Sequence, residues 1–247
     1  MKLHREKGLY EKYVKRLLDI VCSLLAIVVF SWLYLFIALI VRVKMGRPIL
    51  FKQPRPGIIK EGKETIFDMY KFRTMTDERG TDGELLPDEK RLTAFGAWLR
   101  RTSLDELPEV FCILKGDMSV IGPRPQLVRD MVFMTDQQRM RHTAKPGLSG
   151  LAQTKGRNAI SWEEKLDWDL KYIEHVSFLE DLKLIIATVK TAFIKQEGIT
   201  DGENATSLDY GDVLLHSGKV SRERYDVLQA YASKLITEHE GKKCGTI

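Results

Sequence analysis

The dominant feature of the hydrophobic pattern is an apolar run from Ile20 to Val41, IVCSLLAIVVFSWLYLFIALIV, 22 residues without a charge. As a helix it would be roughly 33 Å long, enough to cross a hydrocarbon core of about 30 Å. It is too long for the apolar segment of a signal peptide, and no small-residue cleavage site precedes the basic flank that follows. The run predicts a membrane helix. Its flanks are balanced, with Lys2, Arg5, Lys7, Lys12, Lys15 and Arg16 before it and Arg42, Lys44, Arg47, Lys52 and Arg55 after it. The positive-inside tendency therefore has little asymmetry to act on. Two topologies stay open: an ordinary span, or a helix that enters and returns so that both flanks meet anionic headgroups. A re-entrant helix needs a break whose backbone groups find side-chain partners. Ser31 stands at the midpoint, followed by Trp32 and not by proline.

Beyond the run the pattern changes period. GRPILFKQPRPG, residues 46–57, is punctuated by prolines and reads as an extended, basic connection. TIFDMYKFRTM, residues 65–75, is β-branched and aromatic and predicts a strand. Residues 76–90 are polar and acidic, as in a surface loop. RLTAFGAWLRR spaces Leu92, Phe95 and Leu99 as a helix does, with arginines at the end favoured by its dipole. Glu109 to Lys115 reads as a further helix stopped by Gly116. Between Ser177 and Gly198, Leu182, Ile185, Ile186, Val189 and Phe193 form one stripe. It suits either core packing, the preferred reading, or a helix lying on the bilayer. After Ile199 a turn-rich linker leads to an amphipathic helix with Tyr225, Leu228, Leu235 and Ile236 on its apolar side.

With 247 residues the chain suits one domain with appendages, and a net charge of +5 calls for an anionic partner. Cys22, Cys112 and Cys244 share no metal-ligand spacing; the first two read as buried thiols in a reducing compartment.

The candidate chemistry centres on RRTSLDELPEV, residues 100–110, where Asp105 and Glu106 form an adjacent acidic pair. Ser103 and Glu106 fit the spacing of a capping box, which would make Asp105 a bystander. A helix starting at Asp105 instead puts Pro108 in its first turn, where no donor is missed, and leaves Asp105 among free N–H groups. Spacing alone leaves capping at least as good a reading as catalysis. The surroundings shift the balance. Lys71 and Arg73 share one face of the predicted strand, and Arg124 is held between Pro123 and Pro125 behind Gly122, with Asp117 nearby in sequence. Lys145, Lys155, Arg157 and Asn158 lie in a glycine-containing loop able to cradle phosphate. Basic turns around an acidic pair suit a polyanion, and carboxylate facing phosphate implies an intervening divalent cation, Mg²⁺.

From Tyr10 to Gly198 the chain resembles the small monotopic phosphoglycosyl transferases among the bacterial sugar transferases. The resemblance rests on KRLLDI, KQPRPG, MYKFRTM, LRRTSLDELPE, LKGDMSVIGPRP, KPGLSGLAQTKGRNAISW and DLKYIEHVSFLEDLK. It implies an α+β, helix-rich fold: a re-entrant membrane helix within residues 1–45 and a small catalytic domain, 46–198, on the cytoplasmic face of the inner leaflet. Residues 199–247 are then an extension suited to capping the site, making a homodimer or docking a neighbouring enzyme. The implied reaction moves a phospho-sugar from a UDP-sugar, an N-acetylated amino sugar by overall similarity, to undecaprenyl phosphate and releases UMP. Asp105 would be the nucleophile and a Mg²⁺ ligand, and Glu106 its assistant. Lys71, Arg73, Arg124, Arg157 and Asn158 would hold the donor. The family breaks its membrane helix at Ser-Pro, where this chain has Ser31-Trp32, and often has Trp at position 151 and Asn at 155, where this chain has Leu and Lys. Two rival readings are a membrane-anchored Mg²⁺-dependent phosphohydrolase and a non-enzymatic basic protein docked on anionic lipid or nucleic acid; nucleic acid is no partner in the favoured reading.

Overall fold

The computed structural model describes residues 5–156, 160–190 and 208–244. A π-helical turn at Tyr10–Val14 runs directly into helix α1, Lys15–Met45. This helix is long and apolar enough to cross a membrane. It stays helical through Ser31 and Trp32, with the Ser31 hydroxyl donating to Val28 O at 3.0 Å inside the same helix. Val21, Leu25, Val28, Leu35 and Val43 point outward and are exposed. Cys22 is exposed as well, which corrects its reading as a buried thiol; on an apolar helix a weakly polar thiol sits as readily toward lipid as toward a core. Cys112 is buried.

Strands β1, Leu50–Lys60, and β2, Lys63–Phe72, form an antiparallel hairpin with Gln53 opposite Met69. The proline-rich connection expected from residue 46 is thus largely a strand. Pro54 and Pro56 fit because the sheet has two strands, so one side of each carries no ladder bonds. Two short helices follow, α2, Asp88–Arg91, and α3, Ala94–Thr102. Gly96 lets α3 press onto the chain leaving β2: a Cβ there would lie 1.9 Å from Thr74 O. Helix α4, Glu109–Lys115, ends at Gly116 with φ +101°, as its sequence predicts. Strand β3, Ser119–Ile121, pairs in parallel with β4, Gly147–Ser149, across helices α5, Val128–Met131, and α6, Asp136–Arg139. Then come α7, Leu151–Lys155, α8, Trp162–Glu174, α9, Phe178–Lys190, α10, Tyr210–His216, and α11, Arg222–Cys244. The fold is helix-rich α+β.

Helix α1 packs on this assembly near its start and toward its end. Near its start Arg16 donates to Ile113 O and Leu114 O at 2.6 and 2.7 Å, closing the C-terminal end of α4. Asp19 accepts from the Ser119 hydroxyl and from Val120 N, both at 2.9 Å. Toward its end Tyr34 donates to Leu107 O at 2.7 Å, and Ile37, Val41 and Met45 form one core cluster with Phe72 and Leu99. A second cluster joins Phe67 and Met69 of β2 to Cys112 and Ile113 of α4, fixing that helix against the hairpin.

On α9 the buried side chains are Asp181 and Leu184. Leu182, Ile185, Ile186 and Val189 are exposed, so the preferred core-packed reading is corrected for them; Phe193 lies outside the described residues. Periodicity identifies an apolar face; it does not say what covers the face. The tail docks on the domain. Val128 and Met131 of α5 cluster with Ala232, Phe133 and Met134 with Tyr210 and Leu214, and His239 Nε2 lies 3.1 Å from Asp68 Oδ1.

Candidate active site

Asp105 and Glu106 occupy a 3₁₀ turn, Leu104–Glu106, between α3 and α4. Ser103 takes a left-handed conformation, φ +56°, that ends α3, and its side chain caps nothing. The capping-box reading is therefore not realised. Pro108 sits at the N-cap of α4, so Asp105 precedes the α-helix by one turn instead of starting it.

The two carboxylates have opposite fates. Glu106 is clamped: Lys71 Nζ donates at 2.7 Å, and Arg124 Nη2 donates to the same oxygen. Burial alone would raise the Glu106 pKa, but Arg124 and Lys71 outweigh it and hold the group ionised far below the usual carboxylate range. Asp105 is buried, yet among the described residues its carboxylate makes no hydrogen bond or ion pair. Burial, then the charge of Glu106, pushes it up to about 6 against the pull of Lys71, Arg100 and Arg124. It is ionised at neutral pH and unengaged, the state a nucleophile or metal ligand requires.

The supports are rigid. Lys71 stands near the end of β2 and also lies 3.4 Å from Glu109. Arg124 stands in a turn whose backbone is pinned on two sides, with Gly147 N donating to Pro123 O at 3.0 Å and Arg141 Nη2 to Arg124 O at 2.5 Å. Arg141 is itself buried and paired with Asp169, 2.9 and 2.6 Å.

The other predicted residues divide. Arg73 is buried but turned away, donating to Arg47 O and Met75 O at 2.9 Å and pairing with Asp77 at 2.5 Å. Asp117 pairs with Lys115 at 3.1 Å, and the Lys155 ammonium lies 5.1 Å from the Trp168 ring centre. Lys145 faces a different cleft, beside Arg16 and Asp19. Arg157 and Asn158 lie outside the described residues.

Two residues not singled out belong to this cluster. Arg55 is held by Pro125 O at 3.0 Å and Gln53 Oε1 at 2.5 Å, with its buried Nε unpaired among the described residues. Burial, then Arg124, lowers it to about 10. Its signal was present in the sequence, since Pro54-Arg55-Pro56 repeats the frame Pro123-Arg124-Pro125. Glu109 is fully buried, with Lys71 Nζ 3.4 Å away and neither carboxylate oxygen hydrogen-bonded among the described residues; burial, then Glu106, raises it to about 7 against the pull of Lys71. Nothing in a seven-residue helix marks such a group; its burial comes from packing against β2.

A clamped and a free carboxylate beside proline-framed cations suit transfer of a phosphorylated group, and the helix packed on the same body is long and apolar enough to cross a membrane. The chain belongs to the bacterial sugar transferase family, whose sequence profile matches residues 10–195, and it is a phosphoglycosyl transferase. It is 46% identical over 194 residues to the uncharacterized sugar transferase EpsL of Bacillus subtilis, covering 78% of this chain and 94% of that protein. Identity is 38% over 192 residues to the UDP-glucose:undecaprenyl-phosphate glucose-1-phosphate transferase of Klebsiella pneumoniae, 74% of this chain and 40% of that one. It is 32% over 204 residues to the undecaprenyl-phosphate galactose phosphotransferase of Salmonella typhimurium, 76% of this chain and 42% of that one. The chain thus spans nearly all of EpsL and less than half the length of the other two.

Proposed function

We propose that this enzyme transfers a sugar phosphate from a UDP-sugar to undecaprenyl phosphate, an early membrane step of polysaccharide synthesis. The observation that carries the reading is Asp105: buried and unengaged among the described residues beside a clamped Glu106. A carboxylate oxygen of Asp105 attacks the sugar-bearing phosphorus, the phosphorus–oxygen bond to UMP breaks, and UMP leaves. An oxygen of the acceptor phosphate then attacks the same phosphorus, and the aspartyl–phosphorus bond breaks to restore the carboxylate. Lys71 and Arg124, already fixed by Glu106, present positive charge to the diphosphate with little reorganisation, and Arg55 adds a further cation. Arg73 holds the chain after β2 in place, and Arg157 and Asn158 are left to the donor's nucleotide and sugar.

Mg²⁺ fits this set. It is usually held by one or two carboxylates together with substrate phosphates, and Asp105 offers one uncommitted carboxylate; among the described residues no cluster of three ligating side chains occurs. Bound there, the ion would neutralise charge between Asp105 and the diphosphate.

The membrane reading is a re-entrant α1 with both ends on the cytoplasmic face, dipping into the bilayer as one continuous helix and not through a break at Ser31-Trp32. Its support is that Arg16 and Asp19 near one end, and Ile37 to Met45 near the other, pack on the same domain. A helix crossing the bilayer would carry one end away from that domain. The exposed stripe of α9 is then a second apolar surface for the interface. A cysteine placed at exposed Glu6, with the unaltered chain as background, should resist an impermeant thiol reagent in intact cells; labelling from outside would establish a through-going span.

The donor proposed is an N-acetylated amino sugar, although the relatives' names carry glucose and galactose. UMP release should be measured over a panel of UDP-sugars, these hexoses included, with and without undecaprenyl phosphate. Sustained UMP release is expected only with the acceptor present. Equal release without it would replace the transferase by a phosphohydrolase.

A further inference from the structure

A cleft of about 350 Å³ lies where α1 begins, at the opposite end of α4 from Glu109 and the acidic turn. Five cations line it: Lys7, Lys12, Lys15, Arg16 and Lys145. The two carboxylates of its wall are already occupied. Glu11 is paired with Arg5 at 2.6 Å, and Asp19 is bound by Ser119 and Val120 N. Lys15 is neutralised by Asp181, and Arg16 is spent on the carbonyls of α4. Lys12 and Lys145 have no hydrogen bond or ion pair among the described residues, and Lys7 reaches Glu11 only at 4.0 Å. The cleft therefore holds surplus positive charge, with Lys145 half-buried beside Arg16.

The elements beside it have the opposite character. Leu9, Tyr13 and Val14 at the π-helical turn, Leu17 and Val21 of α1, and Phe178, Leu179 and Leu182 of α9, which begins two residues after the lining residue Val176, are exposed. The two apolar faces are tied together at the cleft, with the Tyr10 and Phe178 rings 6.1 Å apart and the Tyr10 hydroxyl donating to Asp181 at 2.8 Å. A cationic recess adjoined by two elements with exposed apolar side chains fits a molecule with a phosphate head and hydrocarbon chains, more closely than a soluble anion or a nucleotide. We propose that this cleft binds the phosphate headgroup of one anionic bilayer phospholipid, at a site separate from the Asp105 centre. The bound lipid sets the depth at which α1 and α9 sit, and the inference rests on the membrane reading of those two helices.

The test uses the full chain in neutral detergent and counts phosphatidylglycerol retained per protein by native mass spectrometry. The comparison is between wild type and the double variant Lys12→Gln/Lys145→Gln, with Lys12→Gln alone as an exposed, fold-neutral control. One retained lipid is expected for wild type, with retention falling about tenfold in the double variant and part-way in the single one. Phosphatidylcholine should not be retained by either. Equal retention by wild type and double variant would overturn the proposal. Displacement by millimolar inorganic phosphate would reassign the cleft to a soluble anion, and displacement by equimolar undecaprenyl phosphate would reassign it to the acceptor. Co-sedimentation with phosphatidylcholine vesicles separates the two levels: its absence in wild type removes the membrane reading itself, whereas its presence with unaltered lipid counts removes only the headgroup site.

Discussion

Asp105→Asn is expected to lower turnover by about a thousandfold or more while the protein remains folded and membrane-associated. The amide keeps the shape of the side chain and removes its nucleophilic oxygen. No native hydrogen bond is lost, because the Asp105 carboxylate makes none among the described residues. Removing a charge held up at about 6 by burial and by Glu106 should leave thermal stability at neutral pH unchanged or slightly raised. UMP release, thermal unfolding and vesicle co-sedimentation measure the three parts. Rapid quenching with donor labelled in the sugar-bearing phosphate should leave label on wild type and none on the variant. Turnover by Asp105→Asn at the wild-type rate would remove the nucleophile assignment.

The second large effect is a divergence between two glutamates three residues apart. Glu106→Gln leaves Lys71 and Arg124 facing each other without their shared anion. Breaking a fully buried ion pair on one side costs roughly 3–5 kcal/mol and an exposed one under about 1; this part-buried cluster lies between, so the variant should be clearly destabilised at pH 8. The native Glu106 pKa is depressed, so its contribution is present above the unfolded carboxylate value and is lost as pH falls below it. Glu109 is the reverse case. Its pKa is raised to about 7, so the native state binds a proton that the unfolded chain releases. Its burial becomes unfavourable as pH rises from about 4.5 to 7, by up to roughly 3 kcal/mol at pH 8. Glu109→Gln should therefore stabilise the protein at pH 8 and have little effect below pH 4.5. Denaturant unfolding of both variants at pH 5 and pH 8 checks this. Stability moving the same way in both at pH 8 would refute the division of charge described for the site.

Much of this arrangement can be read from the chain because some features are local. Pro108 and Gly116 bracket α4, the charge-free run from Ile20 marks α1, and two proline-framed arginines mark rigid cations. What cannot be read depends on partners far away in sequence. Ser103 and Glu106 have capping-box spacing, but Ser103 is used to end α3 while Lys71 and Arg124, 35 and 18 residues from Glu106, compete for its side chain. Lys71 and Arg73 share a strand-like spacing, yet β2 stops at Phe72 and Arg73 turns to backbone carbonyls. Lys145 reads as part of a phosphate loop and instead faces the far end of α4. For α9, one stripe suits protein or lipid equally well, and only the packed structure shows that the described domain leaves it uncovered.

Because Ile37, Val41 and Met45 lie in the same cluster as Phe72 and Leu99, the anchor is a wall of the catalytic body. Cutting the chain after residue 45 would not liberate a soluble enzyme. It would open an oily gash directly behind the hairpin that carries Lys71. The long apolar helix is thus a folding template as well: a chain that lacks it lacks the surface on which Phe72 and Leu99 come to rest.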